Sequence, residues 1–266
     1  MLLCAVAAQS TTVALDEVQS ITVASTFCRQ LRLGVIGTGC IGMEHIRNAL
    51  LLPSVLIVAI ADPHEPSRRV ALKALGEAGL TVGVHEHTRE ILERADVEAV
   101  LVCTPNDTHH AVLQQVLASG KHVLVEKPLC TLISHSAQMV ALASVPRPAG
   151  APAPLLWCGM EYRYIPAIAR LIAEADSGVI GELRMLTIRE HRFPFLKKVG
   201  NWNRRNERTG GTLVEKCVHF FDLMRRILRS EPVRIYASGG QDVNHMGEQA
   251  DGSAPADVLD SAYGDL

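Results

Sequence analysis

Three groups of residues in this chain have types and spacings that suit chemistry on a small molecule. The first is the stretch 37–42, whose letters GTGCIG fit G-x-G-x-x-G and follow a short apolar run. The second is Lys127, which follows another apolar run, and the third is the set of Glu215, His219 and Asp222. Glycine patterns of this kind bind the phosphates of dinucleotides, and lysine and histidine side chains transfer protons.

The glycine pattern has a physical role for each of its positions. Gly37 permits a tight turn, Gly39 lets the backbone approach a diphosphate, and Gly42 allows the helix to pack closely on the strand. We expect the backbone of Cys40 and Ile41 to face the diphosphate at the positive end of the helix. An ordinary tight turn between a strand and a helix is the alternative explanation.

An acidic residue follows the pattern at the spacing typical of dinucleotide sites. Asp62 ends the next apolar run, where its carboxylate can accept hydrogen bonds from the adenosine ribose hydroxyls. Because a carboxylate repels a ribose 2′-phosphate, Asp62 favours NAD over NADP. Arg68 and Arg69 would offset that preference if they fold back toward the ribose, so NADP stays open as a cofactor.

Apolar runs of strand length alternate with helix-length segments in the first part of the chain. The strand-like runs lie at 31–37, 55–62, 97–105, 121–128 and 155–164, and the helix-length segments at 42–52, 66–79, 88–94, 108–119 and 131–144. This alternation predicts β-α-β units in an α/β domain with a Rossmann-type, doubly wound parallel sheet. We place that domain at 31–160.

The pattern changes in the remaining residues, 161–266, which predict an α+β domain. Helices are expected at 166–176 and 213–228, strands at 181–192 and 233–240, and the start of a further strand at 257–266. Two clear strands make a marginal sheet. We therefore expect a truncated domain, a reduced paralogue, or a sheet that a second copy completes in a homo-oligomer.

Composition and charge exclude several classes of protein. A net charge of −2 and 48% hydrophobic residues indicate a globular protein with no preference for nucleic acid. The seven cysteines are scattered without a C-x-x-C pair, which argues against a metal site and for a reducing compartment. No apolar run is long enough to cross a membrane. We interpret 1–30 as a weakly ordered leader and expect a cytoplasmic protein, with organellar targeting left open.

Five further motifs stand in order after the glycine pattern. They are Cys103-Thr104-Pro105-Asn106, Gly120-Lys121-His122-Val123, Glu126-Lys127-Pro128, Tyr162-Arg163-Tyr164 with Pro166, and Gly210-Gly211-Thr212-Leu213 with His219 and Asp222. Together they resemble the glucose–fructose oxidoreductase / inositol dehydrogenase (Gfo/Idh/MocA) family over residues 31–240. The resemblance implies an NAD(P)-dependent enzyme that transfers hydride between the nicotinamide and a secondary alcohol of a sugar, inositol or related polyol. A non-catalytic dinucleotide-binding paralogue or a truncated regulatory form is the alternative.

The resemblance also implies roles for individual residues. Lys127 is expected beside the nicotinamide and the reacting alcohol, whose hydroxyl proton it takes, and His219 is expected to assist this proton transfer. The residues expected to contact the cofactor, besides those of the glycine pattern and Asp62, are Thr104, Pro105, Asn106, Glu126 and Lys127. Family members often have Asp where Glu215 stands and Gly where Cys217 stands. These two departures leave open which hydrogen bonds connect Glu215 with His219, but not the role expected of His219.

The spacing of the acidic and imidazole residues supports a polar pocket independently. Glu215, His219 and Asp222 lie four and then three residues apart, so they share one face of the expected helix. An acidic neighbour would raise the pKa of the imidazole and orient it. Arg163 is a further candidate for substrate binding. Trp202 suits stacking against a sugar, although a packing role is equally common for a single tryptophan.

Overall fold

The computed structural model describes residues 29–145, 154–250 and 254–265. The predicted leader at 1–30 lies outside these ranges except for its last two residues. Among the helices described, none is both long and apolar enough to cross a membrane.

Six parallel strands form one sheet in the first half of the chain. They are β1 (Leu31–Ile36), β2 (Val55–Ala61), β3 (Gly83–His85), β4 (Ala99–Val102), β5 (His122–Glu126) and β6 (Leu156–Gly159). Their order across the sheet is β3-β2-β1-β4-β5-β6, the order of dinucleotide-binding folds. The predicted doubly wound parallel sheet is therefore confirmed, and β3 is a strand that the sequence analysis missed.

Helices cover both faces of this sheet. They are α1 (Cys40–Leu50), α2 (Glu65–Glu77), α3 (Thr88–Leu92), α4 (His109–Ser119) and α5 (Ile133–Ala143). In β4, Ala99 and Leu101 pack with α1 and α2, whereas Val100 and Val102 pack with α3, α4 and α5. Successive side chains of a strand point to opposite faces, so an unbroken apolar run is what a sheet covered on both sides requires.

Short helices and small sheets make up the second half. The helices are α6 (Pro166–Ser177), α7 (Asn206–Thr209), α8 (Thr212–Glu215) and α9 (Val218–Leu228), and the strands are β7 (Tyr236–Gly240), β8 (Gln249–Ala250), β9 (Ala254–Pro255) and β10 (Ser261–Asp265). The β7 and β10 strands pair antiparallel, and so do β8 and β9. The further strand expected at the end of the sequence is thus present as β10.

Several predicted elements of the second half were wrong. The strand expected at 181–192 is absent, and no strand within the described ranges pairs with this segment. The single helix expected at 213–228 is divided into α8 and α9 by a turn at Lys216 and Cys217. The run at 155–164 contributes only β6 to the sheet, since residues Glu161–Tyr164 form a 3-10 helix. Periodicity alone did not reveal any of these interruptions.

The β7–β10 sheet leaves apolar side chains in contact with solvent. Tyr236 is 66% exposed, Tyr263 is 65% exposed and Ile235 is 65% exposed. Assembly of copies through this sheet stays a prediction, as do the domain limits at 31–160 and 161–266.

We expect amide hydrogen exchange to separate the central sheet from the irregular segment. The β1 and β4 strands are each paired with a strand on both sides, so their amides should exchange last. No backbone amide described between 182 and 198 donates to another backbone group, so these should exchange within the shortest labelling time. Mass spectrometry of the labelled protein gives both rates. Strong protection of 181–192 would show that this segment pairs with another strand in solution.

Candidate functional site

The glycine-rich turn follows β1 and cannot accept side chains at two of its three glycines. Gly37 has φ +89°, and a Cβ there would lie 2.6 Å from the carbonyl oxygen of Cys103. A Cβ on Gly42 would lie 2.1 Å from the carbonyl oxygen of Gly37. A Cβ on Gly39 would meet no atom within 4 Å. Two glycines are therefore required by packing, while Gly39 opens onto free space.

The start of α1 has the properties of an anion site. Gly39 is its N-cap without a side-chain hydrogen bond, and its first turn contains no acidic residue. The first N–H groups of a helix lack intrahelical acceptors and carry the positive end of the helix dipole. Cys40 is exposed beside this end. The open space at Gly39 and the uncapped amides thus fit a dinucleotide diphosphate.

Asp62 lies at the end of β2, next to the glycine-rich turn. Its Oδ2 accepts a hydrogen bond from the backbone N of Thr38 at 2.7 Å, and its Oδ1 accepts one from the backbone N of His64 at 2.8 Å. Arg68 folds back and donates to the carbonyl oxygen of Asp62, whereas Arg69 pairs with Glu65. Of the two arginines singled out in the sequence, only Arg68 therefore lies near the predicted ribose position.

The Thr104-Pro105-Asn106 turn follows β4 and links the two halves of the chain. The Asn106 side chain is buried, and its Nδ2 donates to the Glu215 carboxylate and to the carbonyl oxygen of Thr209 at 3.3 Å. That amide is therefore bound to protein, so a contact of Asn106 with the cofactor would come from its backbone. Cofactor contacts of Thr104 and Pro105 stay predictions.

His109 begins α4 and is fully buried. Its Nδ1 lies 2.7 Å from the carbonyl oxygen of Pro128, and its Nε2 lies 3.0 Å from that of Thr104. Burial lowers the pKa of this imidazole despite the two carbonyl contacts. His109 thus connects the turn after β4 with the turn after β5, which is a packing role.

Glu126 and Lys127 end β5 and point to different partners. Glu126 Oε1 lies 2.6 Å from Nε2 of His45, a residue of α1 that the sequence analysis missed. Burial alone would raise the pKa of Glu126, but the hydrogen bond and charge of His45, with the charge of Lys127, bring it below its usual value. Lys127 Nζ donates to the carbonyl oxygen of Glu215 at 2.8 Å and lies 3.3 Å from its carboxylate.

His219 lies in the first turn of α9 and is 2% exposed. Its Nε2 lies 3.3 Å from Oε1 of Glu161, and its ring stacks on Tyr162 with centroids 4.2 Å apart. Burial, followed by the ammonium charges of Lys127 and Lys216, lowers the pKa of His219 to about 4. The expected rise in the pKa of this imidazole is therefore wrong, because desolvation and two cations outweigh the nearby carboxylates.

The break between α8 and α9 also separates the three residues expected on one helix face. Glu215 contacts Lys127 and Asn106, whereas Asp222 binds Arg163 through both carboxylate oxygens, with Nε to Oδ2 at 2.7 Å. His219 faces a third partner, Glu161. His219 and Asp222 still share a face of α9, where they contact Glu161 and Arg163 of one 3-10 helix, so the expectation of a shared face was wrong only for Glu215. The expected catalytic roles of Glu215 and Asp222 stay predictions.

Trp202 lies apart from these contacts. It belongs to the turn Val199–Arg204, whose Asn203 and Arg204 are buried. Within the described ranges, no ring contact or side-chain hydrogen bond joins Trp202 to Lys127 or His219. Sugar stacking by Trp202 stays a prediction, as does substrate binding by Arg163.

The structure adds three residues that the sequence analysis did not select. His45 binds Glu126, Glu161 faces His219, and Lys216 is buried against Tyr162. Only His45 had a sequence signal, since it lies three residues beyond Gly42 on the helix of the glycine pattern. The described residues contain no group of three or more His, Cys, Asp or Glu side chains that could hold a metal ion.

An α/β sheet of this order with a glycine cradle defines a dinucleotide-binding protein. Two family models match the chain: the oxidoreductase family with an NAD-binding Rossmann fold over 31–145, and its C-terminal alpha/beta domain over 174–263. The matched segments together make up well over half of the chain, which therefore belongs to the Gfo/Idh/MocA oxidoreductase family. NAD is accordingly the cofactor of the first domain.

Individual relatives agree with this assignment. An inositol 2-dehydrogenase of Rhizobium meliloti is 28% identical over 88% of this chain and 66% of its own length. The crystal structure of an oxidoreductase domain protein from Kribbella flavida has a TM-score of 0.70 at 27% identity, covering 89% of this chain and 63% of that one. GenD2 from gentamicin A biosynthesis, solved in complex with NAD, has a TM-score of 0.68 at 26% identity, covering 89% and 62%. The chain spans about three fifths of the length of the first relatives it matches.

We expect Gly39→Trp to abolish NAD binding. The indole would extend into the open space proposed for the diphosphate, and its Cβ meets no protein atom within 4 Å, so the fold should persist. Gly76→Trp is the matched control, because Gly76 in α2 also opens onto free space. Calorimetry should give normal NAD affinity for the control and none for Gly39→Trp. Unchanged affinity in Gly39→Trp would refute the cofactor site.

We expect Asp62→Ala to weaken NAD binding by roughly 10- to 100-fold, the effect of losing hydrogen bonds to a charged group. NADP binding should weaken less, because the variant also removes repulsion of the 2′-phosphate. Glu65→Ala, which removes a nearby exposed carboxylate, should leave both affinities unchanged. Equal losses for the two cofactors would mean that Asp62 acts only by holding Thr38 and His64.

Proposed function

We propose that this protein is an NAD(P)-dependent oxidoreductase that transfers hydride between the nicotinamide and a secondary alcohol of a sugar, inositol or related polyol. The observation that carries this proposal is the state of His219. Its Nδ1 is buried and has no hydrogen-bond partner within the described ranges. A buried polar atom without a partner costs about 1–3 kcal/mol, a cost that a substrate hydroxyl would offset.

Proton transfer is the chemistry that these side chains support. Oxidation of a secondary alcohol removes a hydride from carbon and a proton from oxygen, and NAD supplies the hydride acceptor. The pKa of His219 is lowered to about 4, so its imidazole is neutral at pH 7 and Nδ1 can accept the hydroxyl proton, as a weaker base than an ordinary imidazole. We assign the proton to His219 rather than to Lys127, which reverses the order of roles expected from the sequence.

Lys127 acts on the same oxygen as a hydrogen-bond donor. Its ammonium group is held by the carbonyl and the carboxylate of Glu215, so its position is set before the substrate arrives. A cation beside the alcohol oxygen stabilises the negative charge that develops as the proton leaves. Glu215 thereby acts as a positioning residue for Lys127, supported on its other side by Asn106.

The substrate class rests on relatives and on the polar character of the pocket. An inositol 2-dehydrogenase is among the relatives, which supports a polyhydroxylated small molecule. Arg163 is paired with Asp222 and Lys127 with Glu215, so these cations have acidic partners already. A substrate with many hydroxyls and no strong charge suits such a pocket.

We expect His219→Ala and Lys127→Ala to lower kcat for polyol oxidation by about 10²–10⁴, the range for loss of a proton-transfer group. The affinity for NAD should change little in His219→Ala. Lys73→Ala is the control, because Lys73 is exposed on α2 and should leave kcat unchanged. The assay follows NADH absorbance with a panel of inositols, sugars and sugar alcohols.

The same assay tests the alternative of a non-catalytic paralogue. A purified protein that binds NAD but oxidises no member of the panel would support a binding role without turnover. Normal kcat in His219→Ala would instead show that another group accepts the proton.

A further inference from the structure

Lys216 is an unexpected residue at the centre of the second half. It occupies the turn that separates α8 from α9, and only 8% of its surface is exposed. Lysine is rarely buried to this extent unless its ammonium group is paired. Burial is the main cause of its lowered pKa, and the charge of Arg192 adds to it. A buried cation at this position therefore calls for a specific structural reason.

The ammonium group of Lys216 is directed at Tyr162. It lies 4.4 Å from the centroid of the Tyr162 ring and hydrogen-bonds to the Tyr162 hydroxyl. It also lies 3.2 Å from Oε2 of Glu190, whose other oxygen accepts a bond from the Tyr162 hydroxyl at 3.0 Å. Tyr162 is thus held at its hydroxyl by two charged side chains. Its ring is left with little freedom to tilt.

The Tyr162 ring also covers the imidazole of His219. The two rings are nearly parallel, with an interplanar angle of 8° and centroids 4.2 Å apart. Lys216 therefore restrains the Tyr162 ring, and the Tyr162 ring in turn restrains the imidazole of His219. Rotation of the imidazole out of its plane would require the tyrosine to leave its two charged partners.

Charged groups surround His219 on several elements. Glu161 of the 3-10 helix lies 3.3 Å from its Nε2, and burial raises the pKa of that carboxyl. The charges of Lys127 and Glu126 from the end of β5 and of Asp222 from α9 also act on the imidazole. Lys216 supplies a second like charge besides Lys127.

We propose that Lys216 is a positioning residue that fixes the plane of the His219 imidazole through Tyr162, and that its ammonium charge opposes protonation of that imidazole. The orientation part rests on the proposed function, because it matters only if His219 accepts a proton from a substrate. The charge part does not, since it concerns the protein without substrate. These two parts call for separate measurements.

The charge part is tested by titrating His219 in the full chain. NMR of protein labelled in its histidine rings follows the imidazole, and His219→Gln assigns its signal. The wild type should titrate near pH 4. Lys216→Met should move the midpoint upward by roughly one pH unit, the effect of removing one like charge at short range. Lys216→Arg retains the charge and should titrate as the wild type does.

A second neutral variant keeps the test decisive if Lys216→Met does not fold. Lys216→Gln keeps a polar end that can bond to Tyr162 and Glu190, and it should shift the midpoint in the same direction as Lys216→Met. Thermal unfolding shows whether each variant is folded. An unchanged midpoint in a folded neutral variant would overturn the proposal.

The orientation part is tested by kinetics with a substrate found in the polyol panel. Tyr162→Leu removes the stacking partner but leaves Lys216 in place, so kcat should fall by about 10-fold or more while the NAD affinity stays constant. Tyr162→Phe retains the stacked ring but loses the hydroxyl that Lys216 and Glu190 hold, so its kcat should lie between those of the wild type and Tyr162→Leu. A normal kcat in Tyr162→Phe would show that Lys216 does not orient His219 through that hydroxyl. Equal kcat values in Leu and Phe variants would overturn the stacking role. Absence of turnover in the wild type would count against the proposed function and leave the titration result valid.

Discussion

The contact between Lys127 and Glu215 is the interaction on which the site depends. It joins the end of β5 in the parallel sheet to α8 in the second half, and Asn106 holds the same carboxylate from the turn after β4. Without the Glu215 carboxylate, the partly buried Lys127 ammonium would keep only its bond to the backbone carbonyl, and the buried Asn106 amide only its bond to Thr209, which is costly in a region of low polarity. The geometry around His219 follows from this connection, because α9 begins three residues later.

The first half of the molecule could be predicted well because its constraints are local. The run before Gly37 is apolar at successive positions, and a strand covered on both faces needs that pattern wherever it occurs. Gly37 and Gly42 follow from backbone geometry, since any side chain there meets a carbonyl oxygen. Asp62 was found by spacing, which the length of one β-α-β unit sets.

The second half was harder because its elements are set by partners distant in sequence. The segment 181–192 alternates like a strand, but a strand forms only where another can pair with it. At the helix break, Lys216 contacts Tyr162 and Glu190, residues that precede it by 54 and 26 positions in the sequence. The local sequence pattern does not predict such contacts. The lowered pKa of His219 likewise follows from burial and from lysines outside α9.

Glu126 and Lys127 are neighbours in the chain, yet their side chains contact two different helices, α1 and α8. Glu126 contacts His45 on α1, the helix that begins at the cofactor cradle, and Lys127 contacts Glu215 of α8. The two helices are therefore connected through one peptide unit. Any coupling between ligands that bind at the two helices would change both affinities by the same factor, whichever binds first. Two consecutive side chains thus connect the helix at the cofactor cradle with the helix that carries Glu215.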